Sequence, residues 1–167
     1  MGMSVTTAAA SAQDAEHILK LQYLCYQQEA ELYGDYTIEP LTQTLDDLKA
    51  EIGRGHCLVA RLGDEVVASV RGSVDAAGTA RIAKLIVHPR LRHHGLGGRL
   101  LDAIEAHFAA ESEAKRFQLF TGHRSEGNLR LYRSRGYAAV SAEEIGPRLK
   151  LVTLEKPAGL DAYAASA

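Results

Sequence analysis

The stretch Leu85-Ile86-Val87-His88-Pro89-Arg90-Leu91-Arg92-His93-His94-Gly95-Leu96-Gly97-Gly98 constrains this chain more than any other. The apolar run up to Val87 reads as a buried strand, and Pro89 stops it. A basic, glycine-rich loop over residues 90–98 follows. Leu100, Leu101, Ile104 and Phe108 then fall on one face of a helix, with Arg99, Asp102 and Glu105 on the other. A strand that enters a helix through such a loop sets unpaired helix N–H donors, and the positive end of the helix dipole, beside a flexible backbone. Glycines let that backbone approach a ligand closely. Arg92, flanked by His93 and His94, adds side-chain charge. Together these make a site for a pyrophosphate.

Two common phosphate binders do not fit. Arg99 and Leu100 follow Gly98, so the P-loop Lys and Ser/Thr are absent. Gly95-x-Gly97 is followed by Leu100 where a dinucleotide fingerprint needs a third glycine. What does fit is Arg92-His93-His94-Gly95-Leu96-Gly97 after a Val-x-Pro strand end. A second block follows at a suitable distance: Ser125-Glu126-Gly127-Asn128-Leu129-Arg130-Leu131-Tyr132, closing at Gly136-Tyr137. On these residues the chain resembles the GNAT acetyltransferase superfamily. That family's coenzyme A loop has Gln or Arg, two residues, Gly, one residue, and Gly or Ala, between a strand and a long helix. The resemblance runs from about Cys57 to Lys156; before Cys57 only the element order agrees.

The residues also sketch an organisation. A weak first strand over residues 3–10 precedes a helix from Asp14, with Ile18, Leu21, Tyr23, Leu24, Cys25 and Leu32 as its apolar positions and Gly34-Asp35 as its stop. A polar loop with Pro40 leads to a second helix, capped at Thr44 and ending near Gly53. Residues 57–61, 66–71 and 79–87 read as three strands of an antiparallel meander. Residues 117–121 form a fourth core strand, Ser125 caps a short helix, and residues 137–140 and 149–154 are late strands. The expected fold class is α+β, a mixed sheet with helices on both faces. The resemblance makes it the GNAT-like acyl-CoA N-acyltransferase fold, with roughly six to seven strands. Residues 1–156 are expected to form one domain, with residues 157–167 as a disordered tail.

The resemblance implies acetyl-CoA as acetyl donor. It places Leu85, Ile86 and Val87 against pantetheine, with Leu85 and Val87 acting through their backbones, which requires this strand to part from the next. It places the backbone amides of His93, His94, Gly95, Leu96, Gly97 and Gly98 on the pyrophosphate, Arg92 beside them, and Asn128 on the cofactor, with Ser125 as the other candidate. The implied reaction is direct transfer of the acetyl group to an amine of a small molecule or peptide. Tyr132 stands where the family places the general acid; a phenol near 10 is matched to a thiolate near 8.5. A core aromatic is the plainer role for Tyr132. The base is not legible: Glu29, Glu31 and Glu39 lie in the region that shapes the acceptor pocket, and Lys84 on a strand where some members carry a catalytic residue. His123 and Arg124 fall near the expected acetyl site, with structural roles favoured. A non-catalytic acyl-CoA-binding or regulatory module is the alternative.

Composition excludes other classes. Nineteen Lys and Arg against 21 Asp and Glu give a net charge of −2, which argues against a nucleic-acid binder working through bulk charge. No apolar run approaches the ~20 residues that cross a bilayer, and the N-terminus does not read as a signal peptide. Cys25 and Cys57 form no disulfide framework and no zinc spacing, so a cytoplasmic setting is expected. Adjacent His93 and His94 do not converge on one ion, and no metal is expected. Dimers are common in the resembled family, which admits a homodimer here.

Overall fold

The structure is a computed structural model that describes residues 4–158. Contacts divide the chain into two compact units. One holds residues up to Arg71 together with Lys84–Ile104; the other holds Gly72–Ala83 and the chain from Glu105 onward.

In the first unit, β1 (Val5–Ala9) pairs antiparallel with β2 (Cys57–Leu62), Val5 opposite Leu62 and Ala9 opposite Leu58. A 3-10 turn over Ala12–Asp14 opens α1 (Ala15–Tyr33). Its start is held by Asp14, whose carboxylate accepts from the Ser11 amide at 2.8 Å and from Arg61 Nη2 at 2.5 Å. Gly34, at φ 69°, ends the helix in the left-handed conformation, and the Asp35 amide reaches back to the Ala30 carbonyl. The polar loop expected around Pro40 contains a short helix, α2 (Glu39–Thr42), with Pro40 in its first turn, where a missing N–H costs nothing. Thr44 caps α3 (Leu45–Gly53) by accepting from the Asp47 amide at 3.1 Å. β3 (Glu65–Val74) returns antiparallel to β2. Ala15, Ile18 and Leu21 of α1 pack with Leu48 and Ile52 of α3 and with Val59, Val66 and Ile86. Leu24 and Leu32, expected on the apolar face of α1, lie outside that core and are exposed.

Among the described residues the sheet has seven strands in the order β1, β2, β3, β4 (Thr79–Val87), β5 (Arg116–Gly122), β7 (Leu149–Pro157) and β6 (Ala138–Gly146). β4 (Thr79–Val87) follows β3 through a turn pinned by Asp75, whose carboxylate accepts from the amides of Ala77 and Thr79. A 3-10 turn at Pro89–Leu91 leads to α4 (Leu96–Ser112), which begins inside the expected loop, so Gly97 and Gly98 belong to its first turn. In the second unit, Thr79–Arg81 pair in parallel with β5 (Arg116–Gly122). After β5 the chain forms α5 (Glu126–Ser134), β6 (Ala138–Gly146) and β7 (Leu149–Pro157). β7 lies antiparallel to both β5 and β6. β6 and β7 extend well past the expected strands. Pro157, placed in the expected tail, pairs with Arg116, and the Ala158 amide donates to the Lys115 carbonyl. The rest of that tail, residues 159–167, lies outside the described residues.

Candidate active site

Parallel pairing between β4 and β5 runs through Thr79↔Arg116, Ala80↔Phe117 and Arg81↔Gln118. β4 continues to Val87, so among the described residues Ile82–Val87 lie beyond the last of these pairs. On its other edge the strand stays anchored: the His88 amide donates to the Val67 carbonyl of β3 at 2.8 Å. Leu85 and Val87, expected to offer their backbones to a ligand, therefore lie on a stretch with one strand-free edge. Ile86 between them turns its side chain into the core of the first unit.

Beyond this edge the backbone takes two left-handed residues, His93 at φ 68° and Gly95 at φ 78°. Successive turns of this kind gather N–H groups into an anion-binding concavity. A side chain at Gly95 would meet nothing within 4 Å, so the space beside it is open. α4 starts at Leu96, and the first turn of a helix leaves N–H groups without intrahelical partners. His93, His94 and Gly95 are exposed, while Leu96 anchors the turn in the core. Among the described residues, no group of three or more His, Cys, Asp or Glu is placed to hold a metal ion.

α1 supplies contacts that the sequence did not reveal. The Cys25 thiol donates to the Val87 carbonyl at 3.4 Å, and Arg92 Nη1 donates to Gln28 Oε1 at 2.5 Å. Val87 and Arg92 are thus brought together along one helix, through residues three apart. Burial pushes the Cys25 thiol above its ordinary pKa, and the Arg92 guanidinium beside it pulls the other way. Burial alone raises the Glu29 carboxyl, one turn further on. Helical spacing marks 25, 28 and 29 as neighbours, but only the tertiary fold says what they face.

Lys84 is a non-glycine residue of β4 at φ 51°. Its ammonium pairs with Glu39 of α2 at 2.6 Å and lies 3.9 Å from Glu51 of α3. Glu39, a candidate to attract a cationic amine, is therefore already committed to a cation. Glu51 also accepts from Arg71 Nε and, at 2.5 Å, from Gln43. Arg71 Nη2 further donates to Gln22 and Gln43, at 2.9 and 2.7 Å.

In the second unit, Tyr132 is buried on α5 and its ring lies 6.2 Å from that of Tyr137, tilted. The Tyr137 hydroxyl donates to Glu105 at 2.9 Å, and Lys156 pairs with the same carboxylate at 2.8 Å. Asn128 is exposed, and its Nδ2 donates to the Thr121 hydroxyl at 3.3 Å. Ser125 occupies the N-cap of α5, but its side chain makes no capping hydrogen bond. His123 is tied to β7: its amide donates to the Lys150 carbonyl, and its Nδ1 accepts from the Lys150 amide, both at 2.9 Å. That is a structural role.

The sequence model described as the Acetyltransferase (GNAT) family matches residues 18–137, which include the β4 edge, the loop, α4 and Tyr132. The chain belongs to the GNAT acetyltransferase family. Among curated proteins, none matches it by sequence. Solved structures do match this GNAT chain in fold. A GNAT-family acetyltransferase from Streptococcus pneumoniae is 17% identical, covers 93% of this chain and 100% of its own, and superposes with a TM-score of 0.75. yncA of Salmonella typhimurium, a proposed acetyltransferase solved with its cofactor acetyl-CoA, is 18% identical with coverage of 93% and 95% and a TM-score of 0.75. The paia N-acetyltransferase of Thermoplasma acidophilum, solved with coenzyme A, is 17% identical with coverage of 93% and 99% and a TM-score of 0.76. At such identities the likeness concerns the fold. No helix among the described residues is long and apolar enough to cross a membrane.

Proposed function

We propose that this GNAT protein is an N-acetyltransferase that moves an acetyl group from acetyl-CoA to a primary amine of a small molecule or peptide. The observation that carries the reading is a strand edge free of its neighbour after Arg81, leading through Gly95 to the start of α4. A thioester donor with an extended, amide-bearing arm and a diphosphate has the chemistry for these two surfaces. The arm pairs like a strand, and the diphosphate takes helix N–H donors. Two similar structures hold coenzyme A or acetyl-CoA, which supports the same donor here.

In this reading Leu85 and Val87 bond the pantetheine amides through their backbones, the Val87 carbonyl sharing its acceptor capacity with the Cys25 thiol, and Ile86 fixes the strand between them. The amides of His93 to Gly98 hold the pyrophosphate. Arg92 adds positive charge from its place beside Gln28, and Asn128 contacts the cofactor from α5. The acceptor amine loses a proton to a base or a water relay and attacks the thioester carbonyl. An N–C bond forms, the C–S bond breaks, and the Tyr132 hydroxyl protonates the departing thiolate. Two free thiols suit the cytoplasm.

The test is thiol release from acetyl-CoA against a panel of polyamines, amino acids, aminoglycosides and peptides, with each acetylated product identified by mass. Turnover with at least one amine, giving an N-acetyl product, is the expected result. Tight coenzyme A binding with no turnover on any acceptor would favour a non-catalytic acyl-CoA-binding module instead.

A further inference from the structure

Backbone groups of a strand point alternately to its two edges, so one extra residue reverses the direction of everything after it. The Asp75 amide donates to the Thr79 carbonyl at one end of the β3–β4 pair, and the His88 amide donates to the Val67 carbonyl at the other. From Thr79 to His88 the chain takes nine steps; from Asp75 back to Val67 it takes eight. β4 therefore carries one more residue than β3 over the same span. Lys84 is the β4 residue in the left-handed region, at φ 51°, which marks it as the inserted one. With the insertion, His88 faces β3, and Leu85 and Val87 turn their peptide groups to the strand-free edge. Without it, Leu85 and Val87 would face β3 and the open edge would present Ile86.

A left-handed residue at such a bulge is ordinarily glycine, because a Cβ is strained there. Strain of this kind persists only where the surroundings over-determine it. Here the surroundings are charges. The Lys84 ammonium sits between Glu39 and Glu51, its side chain 13% exposed, and Glu51 is itself held by Arg71 and Gln43. Arg71 is almost fully buried, so this part of the clamp has little freedom to move.

We propose that Lys84 is a positioning residue: its ion pairs with α2 and α3 hold the one-residue bulge that turns Leu85 and Val87 toward the donor. This rests on the acetyl-CoA reading above for its ligand, and on the β3–β4 register for its geometry. Lys84 then acts on donor binding through the backbone, and Glu39, far along the chain from the loop, influences donor binding through Lys84.

Three variants test it. Lys84→Met removes the charge and keeps the strain; Lys84→Gly removes both; Glu39→Gln weakens the clamp from an exposed position that leaves the fold intact. Lys84→Met should raise the acetyl-CoA KM about tenfold with kcat at saturation little changed, Glu39→Gln should raise it by a smaller factor, and Lys84→Gly should recover most of the loss. Hydrogen exchange of the His88 amide, measured without any ligand, should quicken in Lys84→Met and stay near wild type in Lys84→Gly. If Lys84→Gly is as damaging as Lys84→Met, or if the loss falls on kcat or on the acceptor KM, Lys84 works through its charge on chemistry or acceptor and the proposal is overturned. Unchanged His88 exchange in Lys84→Met overturns it as well. If wild-type protein binds no coenzyme A, the acetyl-CoA reading fails, and the exchange experiment still decides the clamp.

Discussion

Gly97 lies in the first turn of α4 and, unlike Gly95, is not among the glycines with a positive φ, so a substitution there meets no left-handed backbone requirement. Gly97→Val should keep the melting temperature of the free protein within a few degrees and lower coenzyme A affinity by about tenfold or more, since a β-branched group would fill the space the diphosphate needs. Calorimetric titration and a melting curve check both halves. Tyr132→Phe should lower kcat by about a hundredfold and leave the acetyl-CoA KM nearly unchanged, as expected for a proton donor used only at the thiolate's departure. Unchanged kcat would return Tyr132 to the core-aromatic role that its burial beside Tyr137 also suits. The glycine spacing and the Tyr132 block were legible because they are local. Lys84 stood out only as a residue on a strand where the family can carry a catalytic group; its bulge and its pairing with Glu39 and Glu51 were not legible, because they depend on elements brought near it only by folding. Arg92 was legible as a charge near the loop, but its bond to Gln28 of α1 was not.

At the scale of elements, α1 depends on its first turn. Burial pushes the Asp14 carboxyl up, but the Ser11 amide, the Arg61 guanidinium and the Ser11 hydroxyl together hold it below its ordinary value. A carboxyl with a lowered folded pKa contributes stability in full above its ordinary pKa, near 4, and loses it as pH falls through the lower folded value. Asp14→Asn should therefore cost about 1 kcal/mol at pH 7, and the gap between variant and wild type should close as the acid limit is approached. Urea unfolding of both proteins at several pH values measures it. A gap that is constant with pH would contradict the assignment. β3 offers a second test. A Cβ at Gly72 would lie 2.4 Å from the Arg81 carbonyl oxygen and 3.0 Å from the Phe108 ring, so Gly72→Ala should destabilise the protein by about 2 kcal/mol or more. The meander was legible from its alternating apolar residues and turn glycines. α2 was missed because Pro40 reads as a breaker, yet a proline in a first turn breaks nothing. The length of β6 was missed because every residue in it is exposed and no buried face imposes a period.

At the scale of the whole molecule, family membership follows from residues 18–137, and the fold is shared with structures at 17–18% identity. The donor half of the reaction was legible because a diphosphate demands a particular backbone, and backbone demands leave glycines in the sequence. The acceptor half was not, because acceptor pockets are shaped by side chains on variable elements, and here the candidate Glu39 is spent on Lys84. The central claim concerns the donor, and it is tested by melting the intact protein with coenzyme A, acetyl-CoA, ATP and NAD in parallel. The two coenzyme A compounds should raise the melting temperature, by an amount equivalent to ~2.7 kcal/mol at a hundred times the dissociation constant, while ATP and NAD leave it unmoved. A melting temperature indifferent to coenzyme A, or raised instead by ATP or NAD, would contradict it.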